Sequence, residues 1–103
     1  MAQFDVYANP LGAISEEFPY VVDVQSEFLS ALDTRVVVLL GRQQRFLPLP
    51  QLAFPVTITD DTLWFYPTQM LTLRKSSLGR VITPLAERRD AIVAALDRLI
   101  TGI

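Results

Sequence analysis

Apolar positions recur every second residue along most of this chain, and only towards the carboxyl end does the spacing lengthen to three and four. Phe4 and Val6 alternate with Asp5 and Tyr7, and Tyr20, Val22 and Val24 alternate with Val21, Asp23 and Gln25. That period predicts two strands, each with one buried face. Between them Asn9-Pro10-Leu11-Gly12 is turn chemistry, which predicts an exposed loop over residues 8–18. Arg35 to Leu40 is a continuous aliphatic run closed by Gly41, the pattern of a central strand covered on both sides. Residues 54–59 alternate again, and Asp60-Asp61 separates them from Thr62-Leu63-Trp64-Phe65-Tyr66, which predicts a hairpin. Met70 to Leu73 and Arg80 to Ile82 are two further short strand candidates. Gln43 to Gln51, with Pro48-Leu49-Pro50, cannot be a helix interior and reads as a rigid surface connection.

The period then changes. Thr83-Pro84 offers a capping hydroxyl followed by proline at the first helical position, and Leu85, Ile92, Leu96, Leu99 and Ile103 fall on one helical face. A terminal amphipathic helix of about 17 residues follows from that pattern. Val93 and Ile100 widen its apolar stripe, either completing the core or packing one edge of the helix against another subunit.

Composition narrows the chemistry. The 103 residues include 11 acidic and 9 basic side chains, a net charge of −2, and neither histidine nor cysteine. That length suits one domain, residues 1–103, and the half of the chain that is apolar suffices for a core. Zinc sites, thiolate nucleophiles, disulfides and Ser-His-Asp constellations are excluded within one chain, so no enzyme and no metal or cofactor is expected. The amino terminus has neither a basic nor an apolar leader pattern, and Val36-Val37-Val38-Leu39-Leu40 is far short of a membrane span, which leads us to expect a cytoplasmic protein. Residues 1–33 carry Asp5, Glu16, Glu17, Asp23, Glu27 and Asp33 without a basic side chain, whereas 34–52 carry Arg35, Arg42 and Arg45 without an acid. The surface is therefore expected to be bipolar, and the sequence pI near 4.9 argues against a nucleic-acid groove.

No catalytic motif replaces the missing residues. The four glycines are isolated, so no phosphate-binding loop is present. Lys75-Ser76-Ser77 lies in an expected turn, and the acidic pairs Glu16-Glu17 and Asp60-Asp61 are sequence neighbours whose side chains diverge. Recognition is what remains. Phe28-Leu29 stands in a short polar-flanked segment where a strand should end, as either a core plug or a contact patch.

Val22-Asp23-Val24-Gln25-Ser26, followed by Thr34-Arg35-Val36-Val37-Val38-Leu39, resembles the CcdB family of plasmid and chromosomal toxins. The opening Gln3-Phe4-Asp5-Val6-Tyr7 is similar to the family's start, Thr68-Gln69-Met70 resembles the segment before its later strands, and the terminal helix closes with Gly102-Ile103. The resemblance implies an α+β, mainly β fold: an SH3-like barrel, built of a five-stranded antiparallel sheet and a small second sheet, with a C-terminal α-helix. It implies a symmetric homodimer, with a face along the sheet and the terminal helix, that binds the A subunit of DNA gyrase and traps it on cleaved DNA. A CcdA-like antitoxin would neutralise it and supply the DNA-binding fold that represses the operon; the toxin itself binds no nucleic acid directly. By position the family's gyrase contacts fall on Phe28, Leu29, Asp97, Thr101, Gly102 and Ile103. This chain has Thr101 where the best-known members carry tryptophan, and Asp97 where they carry asparagine. Antitoxin contacts are expected on two loops, Pro10, Leu11, Gly12, Ala13, Ile14 and Ser15, and Arg42, Gln43, Gln44, Arg45 and Phe46. The alternative is a non-toxic or retargeted interaction module on the same fold.

Overall fold

Each alternating segment carries a row of backbone donors and acceptors that a neighbouring strand satisfies, and together they form one antiparallel sheet. A computed structural model describes residues 2–42 and 52–102. The strands are β1 (Asp5–Ala8), β2 (Tyr20–Asp23), β3 (Thr34–Gly41), β4 (Phe54–Ile58), β5 (Asp61–Arg74) and β6 (Thr83–Pro84), followed by helix α1 (Arg89–Thr101). Their order is β4-β5-β3-β2-β1-β6, which places the aliphatic run of β3 in the interior of the sheet as its composition predicts. The fold is mostly β, a curled antiparallel sheet with one carboxyl-terminal helix, in keeping with the expected barrel class. The two expected sheets are joined in this one order of six. No helix among the described residues is long and apolar enough to cross a membrane.

Strand β5 makes that joining possible. It runs 14 residues, taking in both Thr62–Tyr66 and the separately expected Met70–Leu73. Its pairing with β3 jumps from Val38↔Met70 to Leu39↔Tyr66, so Pro67, Thr68 and Gln69 bulge out of the ladder. Tyr66 and Met70, four residues apart, would share a face in a regular strand. The jump separates them, Tyr66 packing with Leu39 and Met70 with Val38 on opposite sides.

Strands β1, β2 and β3 are buried on both faces, which corrects the one-sided reading of β1 and β2, whereas β4 keeps Pro55 and Thr57 exposed. One face carries Val6, Val22, Val38, Leu40, Leu63 and Phe65 under Ile92 and Ala95 of α1. The other carries Tyr7, Val21, Val37, Leu39 and Tyr66 under Phe18 and Leu78. Asp5, Asp23, Gln25 and Arg35 are consequently inside rather than on the expected bipolar surface. The loop after β1 supplies the cover: Asn9 donates its side-chain amide to the Phe18 carbonyl at 2.7 Å and its backbone N–H to the Pro19 carbonyl at 2.9 Å. Phe18 then meets Tyr66 edge to face, 6.1 Å between centroids. Gly41 lies beneath this pair within β3, and a Cβ there would stand 2.7 Å from Tyr66 and 2.9 Å from Phe18.

Three boundaries differ from expectation. The β4–β5 turn is Thr59-Asp60, both with positive φ, and Asp61 already pairs with Ile58. A two-residue turn with left-handed dihedrals matches the strand twist, which shifts the turn one residue ahead of the acidic pair. Thr83-Pro84 is not a helix start: it pairs with Asp5 and Val6 as β6, and Arg80–Ile82 is not a strand. The donors used on that edge are Ile82 to Val6 and Leu85 to Phe4, at 2.7 and 2.8 Å, so a proline without an N–H costs the pairing nothing. Helix α1 therefore spans 13 residues from Arg89, after a short 3₁₀ turn over Ala86–Arg88. Within α1, Val93 packs on the core and Ile100 is 73% exposed. The Gln43–Gln51 connection lies outside the described residues.

Candidate functional site

The strongest surface feature is where β2 ends. Glu27–Leu29 forms a 3₁₀ turn whose N-cap, Ser26, accepts the Phe28 N–H on its hydroxyl at 3.1 Å. Phe28 is 93% exposed and Leu29 44%, with Leu32 at 49% just beyond, so of the two readings of Phe28-Leu29 the structure gives the patch rather than the plug. An aromatic ring held almost wholly in solvent gains nothing for the fold of this chain. The turn under it is ordered all the same. Leu29 and Ser30 donate to the carbonyls of Ser26 and Glu27 at 2.9 and 3.0 Å, and Leu32 donates to that of Leu29 at 3.1 Å.

Beneath the turn is a polar cluster inside the second sheet face. The Asp23 carboxylate accepts the Gln25 N–H at 3.0 Å and faces Arg35, with Nε 3.8 Å from Oδ2. Arg35 donates through its terminal nitrogen to the Ser30 carbonyl at 3.1 Å, while its Nε has no hydrogen-bond partner. Burial pushes the Asp23 carboxyl above the usual carboxylate range, opposed by the Gln25 N–H and the Arg35 charge and reinforced by Asp5. Tyr7 is fully buried in the same face and its hydroxyl is unpaired; burial, then the Asp5 and Asp23 charges, raise its pKa against the pull of Arg35.

Of the two expected antitoxin loops, the first is described throughout and the second only at Arg42, which bonds to positions just beyond the first. Pro10, Leu11, Gly12 and Ala13 are exposed, whereas Ile14 and Ser15 are half-buried, Ile14 packing on the second core. Arg42 donates its backbone N–H to the Glu17 carbonyl at 3.0 Å and its Nε to the Glu16 carbonyl at 3.1 Å, and pairs with Asp61 at 3.4 Å. The arginine charge is thus paired with Asp61 of its own chain, and its other N–H groups with backbone carbonyls. Gln43, Gln44, Arg45 and Phe46 lie outside the described residues.

The helix end is the third predicted contact region, and it stands on a different element from the 27–29 turn. Asp97, Thr101 and Gly102 are exposed, and Ile103 is outside the described residues. Gly102 takes φ +76, and its N–H returns to the Arg98 carbonyl at 3.0 Å, the left-handed cap that ends α1. Thr101 turns its hydroxyl back onto the Asp97 carbonyl at 2.6 Å, which uses the donor inside the helix.

Reading by sequence missed Gln25 and Arg35 as supports of the exposed turn, and Leu32 as a part of it. The available signal was parity: Asp23 and Gln25 continue the inward row begun by Val21, so two polar side chains fall where a sheet buries them. Asp33, Thr34, Arg74, Lys75 and Ser76 line an open hollow of 590 Å³ at the β3–β5 end, next to the same segment.

Comparison with known proteins agrees with this architecture. No curated protein matches the chain. A solved structure described as an endoribonuclease in complex with its cognate antitoxin from Mycobacterial species is similar, with a TM-score of 0.74 and 19% identity over 94% of this chain and 91% of that one. At that identity the likeness is one of fold. The family described as CcdB protein matches residues 3–102, the stretch that holds the turn after Val22–Ser26, both sheet faces and the capped terminal helix. On that match the chain belongs to the CcdB family, the toxins of toxin-antitoxin systems.

Proposed function

We propose that this chain is a toxin that acts as a homodimer, binds the A subunit of DNA gyrase and holds the gyrase–DNA cleavage complex, and that a CcdA-like antitoxin neutralises it. The observation that carries the proposal is Phe28, 93% exposed on a hydrogen-bonded turn. An aromatic anchor of this kind dominates interfaces when a partner pocket takes it, and a turn ordered beforehand loses little entropy on docking. A poison needs no acid, base or metal: it shifts its target towards whichever conformation it binds most tightly. The absence of histidine and cysteine is compatible with that mode of action. Leu29, Asp97, Thr101, Gly102 and Ile103 complete the proposed gyrase surface, and Pro10–Ser15 with Arg42–Phe46 the antitoxin surface.

One observation favours a second reading, a retargeted or non-toxic module. The Thr101 hydroxyl is turned onto Asp97, so this position offers a partner neither a large apolar group nor a free donor. A plasmid assay separates the readings. Purified protein incubated with gyrase from its own host and supercoiled DNA is expected to yield linear DNA after denaturation, and Phe28→Ala is expected to raise the required dose about 30-fold, the equivalent of about 2 kcal/mol for a hot-spot residue. Intact DNA at every dose, with cells surviving induction, overturns the gyrase reading in favour of the module. Cleaved RNA in place of cleaved DNA overturns both in favour of an endoribonuclease.

A further inference from the structure

Phe28 is aimed by residues other than itself. Its ring is 93% exposed, and its backbone N–H is held by the Ser26 hydroxyl, so what decides where it points is the frame on which the turn is mounted. That frame is made where the chain leaves the sheet. The last paired residues of β2 and β3 are Asp23 and Val37, and one more backbone bond, Val24 to Val36 at 3.0 Å, follows. The next rung is supplied by a side chain. Gln25 accepts the Val36 N–H on Oε1 at 3.0 Å and donates Nε2 to the Leu29 carbonyl at 3.0 Å.

We infer that Gln25 is a positioning residue: its buried amide couples the edge of β3 to the 27–29 turn and so sets the direction in which Phe28 meets its target, with Arg35 holding the far side of the turn at Ser30. The name of that target rests on the gyrase reading; the coupling does not. A backbone N–H only donates and a carbonyl only accepts, so the orientation of the amide is fixed by its two partners. Glutamine brings an acceptor and a donor at this reach whatever the pH. Glutamate keeps the acceptor for Val36 and loses the donor for Leu29; methionine keeps the volume and loses both. The residue is 7% exposed, so water does not readily take either place.

The test compares wild type, Gln25→Met and Gln25→Glu by amide hydrogen exchange and by affinity for a purified gyrase A subunit. In Q25M the Leu29, Ser30 and Leu32 amides are expected to exchange at least tenfold faster while those of β3 and β5 keep their rates, and binding is expected to weaken about tenfold. Because the loss runs through Phe28, the Q25M/F28A double variant is expected to bind no more weakly than F28A alone. In Q25E the same three amides are expected to loosen at neutral pH. They should regain protection, beyond the intrinsic pH effect, as the introduced carboxyl is protonated and can donate to Leu29. Unchanged exchange at these amides, or affinity losses that simply add, overturns the inference. Should wild type not bind gyrase A at all, the gyrase reading falls and the exchange result still decides this one. If Q25M fails to fold, Q25E and its pH profile decide, and a Q25E turn protected like wild type at neutral pH overturns it.

Discussion

Replacing Arg35 by methionine removes the guanidinium from a pair enclosed in the second sheet face, where Asp23 and Arg35 are 1% and 3% exposed. Their charged atoms stand 3.8 Å apart. With an effective dielectric constant of about 20, that separation corresponds to about 4 kcal/mol of attraction. The substitution also releases the Ser30 carbonyl and leaves a buried carboxylate without its counter-charge, with the Gln25 N–H still bound to it. Breaking a buried pair from one side costs about 3–5 kcal/mol, against about 5–15 kcal/mol for the stability of a whole domain. R35M is therefore expected to lose about 4 kcal/mol at neutral pH, read from urea unfolding followed by Trp64 fluorescence, and to approach the unfolding threshold.

The pH dependence has a definite sign. Burial already raises the Asp23 carboxyl above its ordinary 3.8, and removing Arg35 takes away one of the influences that lower it. A carboxyl whose pKa is higher folded than unfolded destabilises the fold above the folded value, and that penalty disappears as pH falls through the folded value towards 3.8. R35M should thus recover stability on acidification from neutral pH, more than wild type does. Asp23→Asn added to R35M should restore part of the loss and flatten the profile. A cost below about 1 kcal/mol together with a flat profile would refute the account of a desolvated, mutually dependent pair.

Tyr7→Phe deletes a buried hydroxyl that has no partner, so stability is expected to hold or rise by about 1 kcal/mol in the same urea assay; a clear loss would mean that the hydroxyl is bonded. Gly41→Ala places a Cβ 2.7 Å from the Tyr66 ring and 2.9 Å from Phe18. It is expected to cost about 1–3 kcal/mol and to displace the Phe18–Tyr66 pair, visible as shifted aromatic resonances.

Elements whose formation depends on local pattern were readable in the chain. The alternation of β1, β2 and β4, the double-sided aliphatic run of β3 and the three-four spacing of α1 each follow from side-chain direction alone. The family motif also pointed at Phe28 and Leu29, although period and composition by themselves left core and surface both open. What was misread depended on contacts far along the chain. Asp5, Tyr7, Asp23 and Gln25 look like the wet side of two strands until Phe18, pinned by Asn9, and Leu78 cover them. Thr83-Pro84 has the composition of a helix start, and pairs with β1 because Phe4 and Val6 offer carbonyls to the flanking N–H groups of Leu85 and Ile82. The three residues bulged from β5 carry no sequence mark that distinguishes them from a strand end.

Side-chain period and residue inventory are properties of the chain, and from them follow a β-rich core closed by an amphipathic helix and the exclusion of histidine and cysteine chemistry. Closure of the chain added that β1, β2 and β3 are covered on both faces, that Asp23 and Arg35 oppose each other out of water, and that one glutamine amide ties β3 to the turn under Phe28. Burial and hydrogen-bond partnership are relations between residues distant in the chain, and exist only once the chain has closed on itself.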